Sequence, residues 1–204
     1  MPATMMHLLA GSLLLRAPSD AFLLGTVLPD CLDCDRAKKD HLHLRDIPRE
    51  ERLSSLILMG KSLDLSRDFD FGALFHLYLD YLWDNGPQAA HRKSYRGENW
   101  FLDYRKELKK AGSRAYLYME GAEETWKRLK KPDPALFQSA LNLPEEEAFA
   151  FLEFNCDFHI STRLEESEIF TDETVLRFTR RALRAYRGFL EDFFPEVAKE
   201  RDFA

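Results

Sequence analysis

Residues 69–84, FDFGALFHLYLDYLWD, constrain this chain more than any other stretch. Phe71, Leu74, Phe75, Tyr78 and Leu82 recur at the three-and-four spacing of one helix face. Clean period-two alternation bounded by turn signals occurs nowhere, and there is no internal repeat or low-complexity tract. The expectation is an all-α fold, a multi-helix bundle of about seven to nine helices with a metal cleft. His76 and Asp80 sit within the helix, four residues apart. That spacing puts their β-carbons about 5–6 Å from each other on one side. An imidazole nitrogen and a carboxylate oxygen so placed can grip one divalent ion. The same pair also fits a surface ion pair or a satisfied core histidine.

Punctuation divides the rest. Thr4 can cap a first helix reaching about Arg16, with Ala17-Pro18-Ser19 ending it. Ala21 to Leu28 is an apolar run stopped by Pro29-Asp30. Cys31 to Leu44 is polar, carries both signs of charge, and reads as a loop. Pro48 opens a helix to about Leu63. Asn85-Gly86-Pro87 ends the 69–84 helix. Gly97 to Lys110 and Ser113 to Lys131 read as amphipathic helices split at Ala111-Gly112. Pro144 and three glutamates start a helix that runs to about His159. The last helix begins near Asp172, and Pro195 shortens or kinks it. The length of 204 residues fits one domain, 1–204, with a ligand-bearing half over 1–85 and a helical half over 97–204.

With 45% hydrophobic residues and sixteen Phe, the chain can bury a core built on aromatic wedges between helices. A net charge of −6 argues against nucleic acid as partner. It argues less against a small anionic substrate, because a metal brings its own positive charge. Three cysteines do not make a disulfide framework, so a reducing compartment is expected. Cys31-x-x-Cys34 fits a zinc knuckle or redox pair poorly, lacking a second such motif or a βαβ context. The leucines at 8, 9, 13, 14 and 15 follow no Lys or Arg, and no stretch reaches the ~18 apolar residues of a membrane span. The expectation is a cytoplasmic protein without a transmembrane segment.

Candidate ligands crowd the N-terminal part: His7, Asp30, His41, His43, His76 and Asp80. Nitrogen and oxygen donors of this kind suit one or two zinc ions, or another divalent metal. A carboxylate between two ions can bridge them, and a water so bound is acidified into a nucleophile. The competing reading leaves His41 and His43 as solvated loop residues and His7 as a lone surface histidine. His159, one turn after Asn155, is a candidate hydrogen-bonding or acid group, or a simple helix cap. Arg45 can orient Asp30, bind a phosphate or form a surface ion pair. Trp83 and Tyr78 read as core.

MPATMMH, FLLGTVLPD, HLHLRD and FHLYLDYLWD, in that order, resemble the bacterial zinc-dependent phospholipase C family, a relative of the S1/P1 nucleases. The resemblance covers about residues 1–85, with a fainter echo at Asn155 to His159. It implies an all-α bundle with a zinc cluster in a cleft. It also implies metal ligands at His7, Asp30, His43, His76 and Asp80, with Asp30 and His159 as catalytic candidates. His43 is preferred to His41 because His43-Leu44-Arg45 fits the family's His-Phe-Arg. In the family, the Asp30-, His43-, His76- and Asp80-type ligands hold one ion, and the last carboxylate bridges to a second held with the early histidine. The chain departs from the family in having no His-x-x-x-Glu, which the secreted enzymes use for a third zinc. The family's free terminal amine would correspond to Pro2 after removal of Met1.

These readings converge on a metal-dependent hydrolase in which an activated water attacks a small-molecule or lipid-like phosphoester. Two others remain beside it. One is a non-catalytic helical scaffold retaining the fold and one structural metal. The other is an HD-type phosphohydrolase, against which the absence of any His-Asp dipeptide counts.

Overall fold

The computed structural model describes residues 2–32 and 36–204, and the described residues are helical with no strand. The helices are α1 (Thr4–Ser12), α2 (Asp20–Val27), α3 (Arg36–Leu42), α4 (Arg52–Ser62) and α5 (Asp68–Asn85), followed by α6 (Pro87–Ser94) and α7 (Trp100–Ala115). The chain then forms α8 (Ala122–Leu129), α9 (Glu145–Ser161), α10 (Asp172–Phe193) and α11 (Pro195–Glu200). One antiparallel bridge, Leu15 to Phe203, ties the two ends of the chain together.

α5 is the axis. Asp68 and Asp70 place negative charge at the positive end of its dipole. Thirteen of its residues are buried, far more than one stripe, because it is covered on several sides. On one side Phe71, Phe75 and Tyr78 interlock with Tyr186 and Phe189 of α10, at ring separations between 4.7 and 5.9 Å. Each fully buried aromatic of this kind stabilises the fold by about 1.5–3 kcal/mol. Trp83, fully buried, donates from Nε1 to the Tyr104 hydroxyl of α7 at 2.9 Å. Tyr78 donates to the Ala185 carbonyl at 3.1 Å. Both are core residues, as expected from the sequence.

On its other side α5 meets α2 without intervening side chains. A β-carbon on Gly25 would lie 2.2 Å from the Phe69 carbonyl oxygen, and one on Gly72 would lie 2.2 Å from that of Phe22. Only glycine permits two helices to approach this closely. Ser19 starts α2 by accepting the Phe22 N–H at 3.2 Å, and its hydroxyl donates to Asp68 of α5 at 2.5 Å.

Several boundaries differ from the sequence reading. The first helix stops at Ser12 rather than Arg16, and Ala3, not Thr4, is its N-cap residue. Residues 36–42 are helical, not loop. Gly86 ends α5, but Pro87 at once begins α6, its missing N–H costing nothing at that position. Gly112 does not split a helix, since α7 passes through it to Ala115. Its role is steric: a β-carbon there would sit 2.5 Å from the Ala3 side chain, so the glycine seats the N-terminal segment against α7. Pro195 ends α10 and opens α11.

Gly72→Ala is expected to destabilise the protein by about 1–3 kcal/mol despite the better helix propensity of alanine, because the added methyl meets rigid backbone. Gly188→Ala, in α10 with nothing within 4 Å, is expected to stabilise by about 0.5–1 kcal/mol. Urea unfolding of both variants checks the opposite signs.

Candidate metal centre

The α2–α5 contact determines what lies at the ends of the two helices. α2 runs out at Val27, and a single 3-10 turn, Leu28–Cys31, carries Asp30 across the face of α5. On that face stand His76 and Asp80, one turn apart. α1 lies alongside and brings in His7. The fifth residue arrives from the end of α3. Leu44 adopts a left-handed backbone at φ 56°, a strained conformation for a branched residue. This turn sends His43 inward and leaves His41 outside, its side chain 76% exposed and paired with Asp46 at 2.8 Å. Leu44 N–H closes the turn on the His41 carbonyl at 3.0 Å.

The five residues His7, Asp30, His43, His76 and Asp80 therefore come together, and all are buried. The His7 ring stacks on His76 with centroids 3.9 Å apart, and His43 meets His76 edge-on at 5.2 Å. Asp80 divides its two oxygens between histidines. Oδ1 is 3.2 Å from His7 Nε2, and Oδ2 is 2.5 Å from His43 Nδ1. His43 Nε2 faces the Pro29 carbonyl at 3.2 Å and Asp30 Oδ1 at 3.7 Å. His76 Nδ1 is taken by the Thr26 carbonyl at 2.9 Å, which fixes the proton on Nδ1 and leaves the Nε2 lone pair facing the cluster. Two sets of donor atoms lie within 4.8 Å of one another: His7, His76 and Asp80, and Asp30, His43 and His76.

Protonation states suit ligation. Burial pushes the Asp30 carboxyl upward, but His76, Lys39 and His43 outweigh it and hold the group at about 2. Asp80 is likewise raised by burial, yet His43 above all holds it well below the usual carboxylate range. Burial, then the neighbouring His7, lowers His76 to about 3. At neutral pH both carboxylates are charged and His76 is neutral, the forms in which these groups bind a cation.

Protein groups alone do not satisfy the cluster. Among the described residues eleven buried side-chain polar atoms make no well-formed hydrogen bond, and five of them are here: His7 Nδ1 and Nε2, Asp30 Oδ1, His76 Nε2 and Asp80 Oδ1, of which His7 Nε2, Asp80 Oδ1 and Asp30 Oδ1 have only ion-pair contacts. A buried unsatisfied polar atom costs about 1–3 kcal/mol, so such a concentration needs a physical reason. A divalent ion supplies one, and the residues present fit it. His76 has only one nitrogen to give, since the Thr26 carbonyl takes the other.

Lys39 and Arg45 border the cluster. Lys39, buried, donates to the Asp30 carbonyl at 2.8 Å and stands 3.3 Å from its Oδ1. Arg45 approaches Asp80 Oδ2 at 3.6 Å and Asp40 at 3.3 Å, so it supports Asp80 rather than orienting Asp30. The sequence reading did not single out Lys39. Its position four residues before His43, on the same face once 36–42 is helical, was the available signal.

Outside the cluster runs a groove of about 1200 Å³ between the N-terminal segment, α3, α4, α6, α7 and α9. Of the five clustered residues only Asp30 lines it, so access to the cluster from this side is past Asp30. Pro2, Asn155 and His159 line it too, while Met1 and Cys34 fall outside the described residues. His159 is buried against Trp126, rings stacked 5.4 Å apart, and its Nδ1 is unpartnered. Burial and then Arg163 lower His159 to about 4. At pH 7 it is a neutral group able to donate or accept one hydrogen bond, not a store of an extra proton. Cys31 is buried.

Comparison with protein-family models, with curated proteins and with solved structures finds no match for this chain.

Zinc added to chelator-treated protein is expected to raise the unfolding midpoint, by an amount equivalent to about 4 kcal/mol when the free ion reaches a thousand times its Kd. Asp80→Asn should abolish that rise. Differential scanning calorimetry with and without metal checks it.

Proposed function

We propose that the protein is a metal-dependent hydrolase acting on a phosphoester, similar in its site to the zinc-dependent phospholipases C. The observation that carries this reading is the convergence of five buried nitrogen and oxygen donors at a point where one carboxylate, Asp30, also faces a solvent-accessible groove. A divalent ion held there acidifies water and stabilises charge on a phosphoryl oxygen.

The chain's own residues do the rest. His7, His43, His76 and Asp80 are the ligand donors, and the Thr26 carbonyl holds His76 in the tautomer that presents Nε2. Asp30 reaches both ligand shell and groove. With its carboxyl held near 2, it is ionised at neutral pH and can orient a water by accepting its hydrogen bond. The Lys39 ammonium is placed to keep Asp30 charged and to meet a phosphoryl oxygen arriving from the groove. His159 offers a neutral hydrogen bond from the α9 side. No described helix is long and apolar enough to cross a membrane, so such a substrate would be met without a helical anchor in these residues.

Purified without chelator, the protein should contain at least one equivalent of zinc or a similar ion. It should hydrolyse p-nitrophenyl phosphate or its diester. His76→Ala should lose the metal, and Asp30→Asn should lower kcat by about a hundredfold or more. Metal analysis paired with the hydrolysis assay decides. Metal-free protein with a folded, cooperative transition would favour the scaffold reading.

A further inference from the structure

The net charge of −6 conceals a concentration of the opposite sign. Nine of the side chains lining the groove are Arg or Lys, against two Asp. Lys39 and Arg45 face the cluster carboxylates. The other seven line the groove on α3, α6, α7 and the segment that leads into α4. Arg49 and Arg52 come from the start of α4. Arg49 is anchored by the Asn85 amide oxygen at 2.5 Å and the Asp84 carbonyl at 2.7 Å. Arg52 is anchored by the Ile47 carbonyl at 3.2 Å and the Arg45 carbonyl at 3.4 Å, and lies 3.6 Å from the Asp84 carboxylate. The bonds of Arg49 go to uncharged oxygens and fix its guanidinium without cancelling its charge, whereas Arg52 is also paired with Asp84. Across the groove Arg92 lies over the Trp100 ring at 5.3 Å, and Lys109 over Phe158 at 5.1 Å.

The cations share the walls with aromatic faces. Trp100 stacks on Tyr104 at 5.2 Å and 12°, and Phe154 on Phe158 at 6.2 Å and 9°. Phe101 and Phe154 are 55% and 68% exposed, an unusual disposition for phenylalanine unless something covers them.

One phosphoester needs one or two cations beside the metal site. A surplus spread along a groove of this volume calls for more negative charge, and for an apolar or planar moiety. We propose that the groove binds a phosphoester substrate carrying two or more anionic groups beside a planar or apolar moiety, and that it rejects substrates with a cationic head such as choline. The inference rests on the phosphoesterase reading but is tested by binding alone. A nucleoside polyphosphate and a phosphorylated lipid headgroup both carry this chemistry. The phosphate nearest Asp30 is the one cleaved, and the remaining anionic groups lie against Arg49, Arg52 and Arg92. The flat or apolar part lies on the Trp100–Tyr104 wall.

Calorimetric titration of the protein as purified, at low temperature and fixed salt, tests this. The probes are orthophosphate, tripolyphosphate, ATP, monomeric dioctanoyl phosphatidylinositol 4,5-bisphosphate and phosphocholine. Tripolyphosphate is expected to bind at least about a hundredfold more tightly than orthophosphate, with affinity falling steeply as salt rises. Arg49→Gln and Arg92→Gln should each lower that affinity about tenfold. Arg180→Gln, on the exposed face of α10, should not change it. ATP binding more tightly than tripolyphosphate assigns the aromatic wall to a ring, and the lipid binding more tightly assigns it to an acyl chain. No gain from either removes the wall from the proposal. Tripolyphosphate within threefold of orthophosphate, or phosphocholine preferred to both, overturns the proposal even if metal and hydrolysis are found. Tight polyphosphate binding by a metal-free, inactive protein would instead sink the hydrolase reading and leave the groove standing.

Discussion

The backbone-to-backbone contact of α2 and α5 at Gly25 and Gly72 is the constraint on which the rest depends. With the two helices this close, the Thr26 carbonyl reaches His76 Nδ1. The turn that ends α2 then has nowhere to go but across Asp80, which brings Asp30 beside His43 and His76. A side chain between the helices would separate them by several ångströms and leave the His76 ring free to rotate. Two residues without side chains thus set the position of five that carry the chemistry. The aromatic interlock with α10 on the opposite side of α5 holds the axis against that contact.

Burying five polar groups at the heart of an apolar bundle is costly. The structure offsets part of the cost with Lys39 beside Asp30 and Arg45 beside Asp80, and with the Thr26 and Pro29 carbonyls. It does not offset all of it, since His7 Nδ1 and His76 Nε2 have no hydrogen-bond partner. Burial, and then the neighbouring His7 ring, keep His76 neutral, so its Nε2 lone pair stays available. A protein selected only for stability would replace such a cluster with leucines. Here the cluster lies at the inner end of a cationic groove, reached past Asp30.

The all-α class and the central helix were legible because their signal is local: apolar residues at helical spacing, with proline, glycine and acidic punctuation at the ends. His76 and Asp80 were legible for the same reason. That His43 and not His41 faces inward followed from a resemblance, and its physical cause, a left-handed turn at Leu44, has no sequence signature because leucine seldom adopts it. Helix α3 was read as a loop because it is short and charged, with its stability drawn from docking Lys39 and Leu42 rather than from propensity. Gly112 was read as a break when it is a notch, a distinction that depends on Ala3, a residue far away in sequence. The groove was not legible at all. Its cations come from α3, α4, α6 and α7, diluted in the sequence by a larger number of acids, and only folding sorts them onto one surface.

That sorting also bears on where chemistry can occur. Of the clustered residues, His7, His43, His76 and Asp80 are shut inside, and Asp30 alone belongs to both compartments. Asp30 and Lys39 line the groove, whereas none of the cluster's imidazoles does. Under the proposed hydrolase reading, Asp30 would be the residue that couples binding to reaction. Its carboxylate must stay ionised while an anion approaches, which alone would be repulsive. Lys39 at 3.3 Å, and the row of arginines beyond it, make that approach favourable. The chain carries a net charge of −6, yet nine Arg and Lys side chains against two Asp line the groove, a lining that favours anions.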